Sequence, residues 1–316
     1  MHARDRRSRK CDSQSEEGSF FPRSRNGRAC TDTSCGQWTA AYACLADIFI
    51  NREHQIYVAF ENWTGWRRFK IQKKVAESSE ITSFYFVPED GVALPTFLPG
   101  QYISLQLYIP KLGLRQPRQY SLSDAPGNDY YRISVKKEAG KQVDTPGLIS
   151  NMLHDEFNEG DVVELTHPTG DIFVNTEEET PIVLLSAGVG ITPMISILNS
   201  ALATGSSRKI SLLHGARNSE VRAFRDTLQL ASEKPNVQTT VFLSTPKANE
   251  VQGVDYDFEG RVNLDKVNPE RLFTNDSATQ YYVCGPTQFM ADIQSYLINH
   301  GVSQDRIHLE IFGVGN

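Results

Sequence analysis

The densest run of residues able to do chemistry is Gly188-Val189-Gly190-Ile191-Thr192-Pro193, which follows an apolar run and opens a helical pattern. Two glycines let backbone amides come close to a pyrophosphate. Pro193 suits a first helical turn, where a missing N–H costs nothing, and a helix N-terminus offers its amides to an anion. The chemistry is dinucleotide binding, although a tight strand-to-helix turn needs the same glycines for purely structural reasons. A second group joins Pro99-Gly100-Gln101-Tyr102 to Arg118-Gln119-Tyr120-Ser121 and then to Gly147-Leu148-Ile149-Ser150-Asn151. It supplies aromatic rings for stacking, a guanidinium for phosphate and a hydroxyl for a ring nitrogen; the plain alternative is a strand with Tyr inward and Arg in water. Two further groups are Tyr281-Tyr282-Val283-Cys284-Gly285-Pro286 and the carboxyl-terminal Glu310-Ile311-Phe312-Gly313-Val314. Taken alone, Cys284 reads equally as a small buried residue.

The elements that must position these groups follow from hydrophobic periodicity. Runs at Phe69–Val75, Ile81–Val87, Tyr102–Tyr108, Gln119–Ser123, Tyr131–Lys136 and Val162–Thr166, parted by Pro, Gly and Asp turns, predict a small antiparallel barrel. Asn175–Thr180 reads as a linker. Beyond it, apolar runs at Ile182–Ser186, Ile210–His214, Thr239–Leu243, Tyr281–Cys284 and Ile307–Ile311 alternate with helical patterns at Met194–Leu202, Glu220–Ala231 and Thr287–His300. That alternation predicts a doubly wound parallel sheet. The expected order is therefore a leader over 1–35, a helix within 36–62, a barrel over 63–176 and an α/β unit over 177–316. The helix rests on Trp38, Tyr42, Leu45, Phe49 and Ile56, spaced to share one face.

Composition narrows the classes. The chain has 316 residues, 39% hydrophobic, and a net charge of −6, which allows about two cored domains and argues against a nucleic-acid binder. Residues 1–35 carry eight basic and five acidic residues, a net +3, and are too polar to order themselves. No run of roughly 18 apolar residues marks a membrane span, and no apolar h-region marks a secretory signal. The five cysteines, at positions 11, 30, 35, 44 and 284, have no metal-like spacing and suit a reducing compartment. The location expected is cytoplasmic, with a mitochondrial transit peptide as the second reading of the Arg- and Ser-rich leader.

Together these motifs resemble the ferredoxin-reductase-like superfamily: an R-x-Y-S strand for a flavin, a small-residue turn for its pyrophosphate, and a Ser, a Cys and a Glu around the contact of nicotinamide and flavin. Trp63–Phe69, Arg118–Pro126, Tyr131–Lys137, Ser150–His154 and Ser186–Pro193 narrow the resemblance to the reductase half of flavohaemoglobins, the nitric oxide dioxygenase family. Ala46–Glu53 resembles that family's last globin helix. The resemblance runs from about Gly36 to Gly313.

It implies FAD on Tyr102, Arg118, Gln119, Tyr120, Ser121, Gly147, Ser150, Asn151, Ile311, Phe312, Gly313 and Val314. It implies NAD(P)H on Gly188, Val189, Gly190, Ile191, Thr192, Pro193, Cys284, Gly285 and Pro286. Ser121, Cys284 and Glu310 take the catalytic positions. Glu53 matches the family's relay glutamate, its other reading being a solvated helix charge. Haem belongs to the family, but none of the seven histidines, at 2, 54, 154, 167, 214, 300 and 308, takes the place of its axial ligand. The implied activity is hydride transfer from NAD(P)H to FAD, with electrons then reaching a haem on a separate globin or another acceptor. In the family as a whole, NO and oxygen become nitrate. The alternatives are a stand-alone diaphorase and a catalytically idle fragment. Arg217 and Arg222 are candidates for a 2′-phosphate, or simply solvated charges.

Overall fold

A computed structural model describes residues 63–140 and 147–312, together with the backbone of Ile48–Ile50 and Ile56–Val58. The helix expected within 36–62 lies for the most part outside the described residues. The two described pieces of it, β1 (Ile48–Ile50) and β2 (Ile56–Val58), pair as antiparallel strands rather than helical turns. Ile, Phe, Tyr and Val fill both, and such residues favour strands. The leader, Glu53, Gly313 and Val314 also lie outside the described residues.

The first sheet contains β3 (Arg67–Ala76), β4 (Ile81–Pro88), β5 (Tyr102–Ile109), β6 (Leu114–Ser121), β7 (Tyr131–Lys136) and β8 (Val162–Leu165), with α1 (Leu148–Asp155) between the last two. Its strands lie in the order β6-β5-β8-β3-β4-β7, all antiparallel. A bridge from Leu122 to Ile133 and a bond from Ser123 N to Arg132 O join the two ends, closing the sheet as expected of a barrel. Alternation fills it. On β5, Ile103, Leu105, Leu107 and Ile109 point inward and meet Phe69 and Ile71 of β3 and Phe84 and Phe86 of β4. β6 starts earlier than expected and carries Pro117, which a strand at the end of the hydrogen-bonded order accepts. The small-residue turn expected at Gly147–Asn151 is instead the first turn of α1, with Gly147 at its N-cap.

The second sheet is wholly parallel. It contains β9 (Ile182–Ala187), β10 (Ile210–Ala216), β11 (Val237–Leu243), β12 (Phe258–Glu259), β13 (Gln280–Cys284) and β14 (Ile307–Glu310), in the order β12-β11-β10-β9-β13-β14. The helices α2 (Ile191–Thr204), α3 (Arg225–Ser232) and α4 (Thr287–Asn299) connect them. Apolar clusters lie on both faces, one under α2 and α3 and one under α4, so the central strands read as continuous apolar runs. The helix expected from Glu220 begins only at Arg225, because Phe224 takes a left-handed conformation (φ 59°) at its N-cap. The strand order reverses between β9 and β13, which places the crevice of a doubly wound sheet at their carboxyl ends.

Candidate functional site

At that reversal β9 ends in Ala187 and a single 3-10 turn, Gly188–Gly190, leads into α2. Gly188 has φ +58°, and a Cβ built on it would meet nothing within 4 Å, so this glycine serves the turn and leaves its outer side open. A Cβ on Gly190, by contrast, would collide with the Cys284 carbonyl and the Gly285 nitrogen. The two glycines thus do different work: one bends the chain, the other lets α2 begin against the end of β13. Ile191 and Thr192 are buried, and Pro193 sits in the first helical turn, as its φ preference favours. Neither α2 nor α4 has a side-chain cap or an acid in its first turn. Each helix N-terminus therefore keeps amides and a positive dipole end for an anion. Gly285 packs under Phe289, and Pro286 is the N-cap of α4.

The barrel meets this crevice through Ser121. Its hydroxyl donates to Glu310 Oε1 at 2.7 Å, joining the end of β6 to the end of β14. Glu310 pairs in register with Cys284 on the neighbouring strand, and Cys284 pairs with Ser186 on β9. The three residues taken for catalysis therefore converge at the switch point. Burial pushes the Glu310 carboxyl up to about 7, against the Ser121 hydrogen bond that lowers it, and among the described residues the buried Glu310 Oε2 has no partner. Burial also pushes the Cys284 thiol well up, reinforced by the Glu310 charge, so Cys284 stands as a neutral thiol.

A cleft of roughly 360 Å³ opens beside Ser121 and Glu310, lined also by Tyr102, Arg118, Gln119, Ile311 and Phe312. Its size suits a flat ring system. Arg118 and Gln119 are exposed, Tyr102 half-buried. Tyr120 lies on the other side of the strand against the barrel core, where burial drives its phenol pKa up. Gly147, Ser150 and Asn151 do not line the cleft. They form the uncapped start of α1, where Asn151 donates to Glu138 O at 3.0 Å and its buried Oδ1 has no partner among the described residues.

The arginines weighed for a 2′-phosphate are both occupied. Arg217 is ion-paired with Glu80 of the barrel, and Arg222 is buried, donating to Asp255 O at 2.7 Å. Sequence reasoning missed His214. It is fully buried within β10, two residues before the strand ends, its Nδ1 lies 2.9 Å from Ser186 Oγ, and burial with the Arg222 charge lowers its pKa to about 3. A polar residue ending an apolar run was the only signal. Among the described residues no cluster of His, Cys, Asp and Glu could hold a metal ion, and no helix is long and apolar enough to cross a membrane.

The family profile described as "Oxidoreductase NAD-binding domain" matches residues 184–295. A protein named "Flavohemoprotein" from Bordetella pertussis is 46% identical over 295 residues, covering 92% of this chain and 72% of that one. Residues 63–316 are only about four fifths of the chain, so this match extends upstream of Trp63. The 8% it leaves out is fewer than 35 residues, so it also reaches into the leader that resembled nothing. Among solved structures, the "Flavohem-like-FAD/NAD Binding Domain of Nitric Oxide Dioxygenase" from Vibrio cholerae aligns with TM-score 0.70 and 36% identity, over 78% of this chain and 98% of that one. A flavohemoglobin from Malassezia yamatoensis, with bound FAD and heme, has the same fold at TM-score 0.67 and 24% identity, over 80% of this chain and 61% of that one.

Proposed function

The chain belongs to the flavohemoprotein family, and on that premise we propose that it carries the reductase half: an FAD-binding barrel over 63–176 and an NAD(P)-binding unit over 177–316. The observation that carries this reading is the Ser121–Glu310 hydrogen bond, which brings barrel, cleft and nucleotide turn to one place. Bound in the cleft, FAD would accept hydride from a reduced nicotinamide and release electrons singly.

The chain's own residues have distinct tasks. Tyr102 offers a ring to the cleft and Arg118 a permanent positive charge for phosphate. Gly147, Ser150 and Asn151 frame the start of α1, whose first-turn amides at Leu148–Ser150 have no side-chain cap and would face the same pyrophosphate. Gly188–Pro193 would take the nicotinamide dinucleotide phosphates at the start of α2, with Gly285 and Pro286 bordering the same crevice. Ile311 and Phe312 line the cleft from the carboxyl end, where their exposed apolar side chains would shield a bound ring from water. Ser121 donates its hydroxyl proton to Glu310 Oε1 and so holds that carboxyl beside the ring site, and neutral Cys284 fills the space beneath without adding charge.

Haem does not fit the described residues. His154 holds Val135 O, His214 is sealed beside Ser186, and His300 and His308 stack on Tyr296 and Tyr282. His167 lies edge-on to Trp63. The electron acceptor we propose is accordingly a haem held outside these residues, and the family activity is the nitric oxide dioxygenation named for the Vibrio cholerae protein.

The test is Arg118→Ala. Loss of one charge-assisted bond to phosphate, worth about 1.5–3 kcal/mol, should weaken FAD binding roughly ten- to hundred-fold, measured by equilibrium dialysis. Unchanged affinity would remove Arg118 from the site.

A further inference from the structure

One polar node in the molecule is outside the site so far described. Asp124 follows Ser121 by three residues, just past the end of β6. Its Oδ1 accepts from Asn199 Nδ2 at 2.8 Å and from Ala125 N at 2.9 Å. Its Oδ2 accepts from Tyr130 OH at 2.9 Å and faces Arg132 Nη1 at 3.3 Å. Its carbonyl accepts from Ser196 Oγ at 2.8 Å. Ser196 and Asn199 are three apart on α2 and so share a face. Ser196 is fully buried, and the Arg132 guanidinium, itself nearly buried, lies over the Phe224 ring at the start of α3. Five partners, from α2, β7 and the loop joining β6 to β7, thus meet one short side chain and its carbonyl.

The placement has a mechanical consequence. α2 begins at the glycine turn proposed to hold nucleotide phosphates, and Ser196 is only about one and a half turns from that end. β6 carries Ser121 into the cleft. Asp124 bonds to α2 through Ser196 and Asn199 and to β7 through Arg132, and the chain itself joins it to the end of β6 three residues away. Moving α2 along the barrel by about an ångström would break the Ser196 and Asn199 bonds while leaving each domain core intact.

We propose that Asp124 is a positioning residue: it ties the nucleotide-holding end of α2 to the strand end bearing Ser121 and so fixes the distance between nicotinamide and flavin. The proposal rests on the reductase reading above. Its action passes through Ser196 and Asn199, and Arg132 keeps the carboxylate oriented from the barrel side.

The test uses the whole chain with FAD bound. Asp124→Asn leaves Arg132 without its charge partner and is therefore accompanied by Asn199→Ala with Ser196→Ala, which removes only the α2 side of the node. Three quantities are measured: the dissociation constant of NAD+ by calorimetry, hydrogen exchange of the α2 amides, and the single-turnover rate of flavin reduction by NADH with its deuterium isotope effect. The double variant should keep its flavin and bind NAD+ within about threefold of wild type, exchange the first turn of α2 faster, and reduce flavin roughly ten- to hundred-fold more slowly with a larger isotope effect. A reduction rate within about twofold of wild type, with or without a fall in Tm, would overturn the proposal. Failure of NADH to reduce the wild-type flavin at all would instead overturn the reductase reading, and this proposal with it.

Discussion

Glu310 keeps one carboxylate oxygen on the Ser121 hydroxyl and buries the other with no partner among the described residues. Its pKa in the folded chain is about 7, against a usual value of 4.5, with burial the cause. Between those values the folded chain holds a proton that the unfolded chain has released. The stabilisation is therefore complete below 4.5 and is lost as pH rises through about 7. Relative to Glu310→Gln, which cannot ionise, wild type should lose on the order of 2 kcal/mol of stability between about pH 5 and about pH 8, measured by denaturant midpoint. A difference that does not change with pH would show the carboxyl to be solvated. The residue types at this site were legible in the sequence, since Ser121, Cys284 and Glu310 each sit in a distinct motif. Their shared environment was not, because it depends on β6 and β14, 189 residues apart in sequence, meeting at one point. His214 escaped for the same reason: a histidine ending an apolar run shows nothing of the Ser186 hydroxyl facing it from the next strand.

Strands were the most legible elements, because alternation on β5 and continuous apolar runs on β9, β10 and β13 report one-sided and two-sided burial. Legibility failed where backbone conformation or short segments decided the outcome. Phe224 in a left-handed conformation delays α3, and the glycine-led turn at 147 proves to be a helix start. The turn before α2 gives a prediction at this scale. Gly190→Ala should cost about 1–3 kcal/mol, because its Cβ meets the Cys284–Gly285 peptide, which cannot yield. Gly188→Ala should cost only about 1–2 kcal/mol of left-handed strain, there being no neighbour to strike. Gly188→Val should in addition block nucleotide binding on the open side while leaving FAD bound. Thermal unfolding and NAD+ titration check both, and equal NAD+ affinity in Gly188→Val and wild type would count against a phosphate site at this turn.

Across the whole molecule, barrel and parallel sheet are joined by polar bonds at two places. Asp124 reaches α2, while Ser79 and Glu80 of the β3–β4 turn hold Glu220 and Arg217 beyond β10. Arg217 is thereby committed to the barrel, and Arg222 to Asp255. Neither is placed to receive a 2′-phosphate, so NADH should have a KM about ten-fold or more below that of NADPH, equivalent to one lost charge contact. Equal values in steady-state assays would require another cation at that position. The central claim is that one chain carries both a flavin and the means to reduce it. It is tested most directly by following the visible flavin spectrum of the purified, FAD-loaded protein as NADH is added without oxygen. The protein should be yellow and bleach completely with about one equivalent of NADH per flavin, since a hydride carries both electrons. A protein that takes up no FAD, or one whose flavin bands persist under excess NADH, would contradict it.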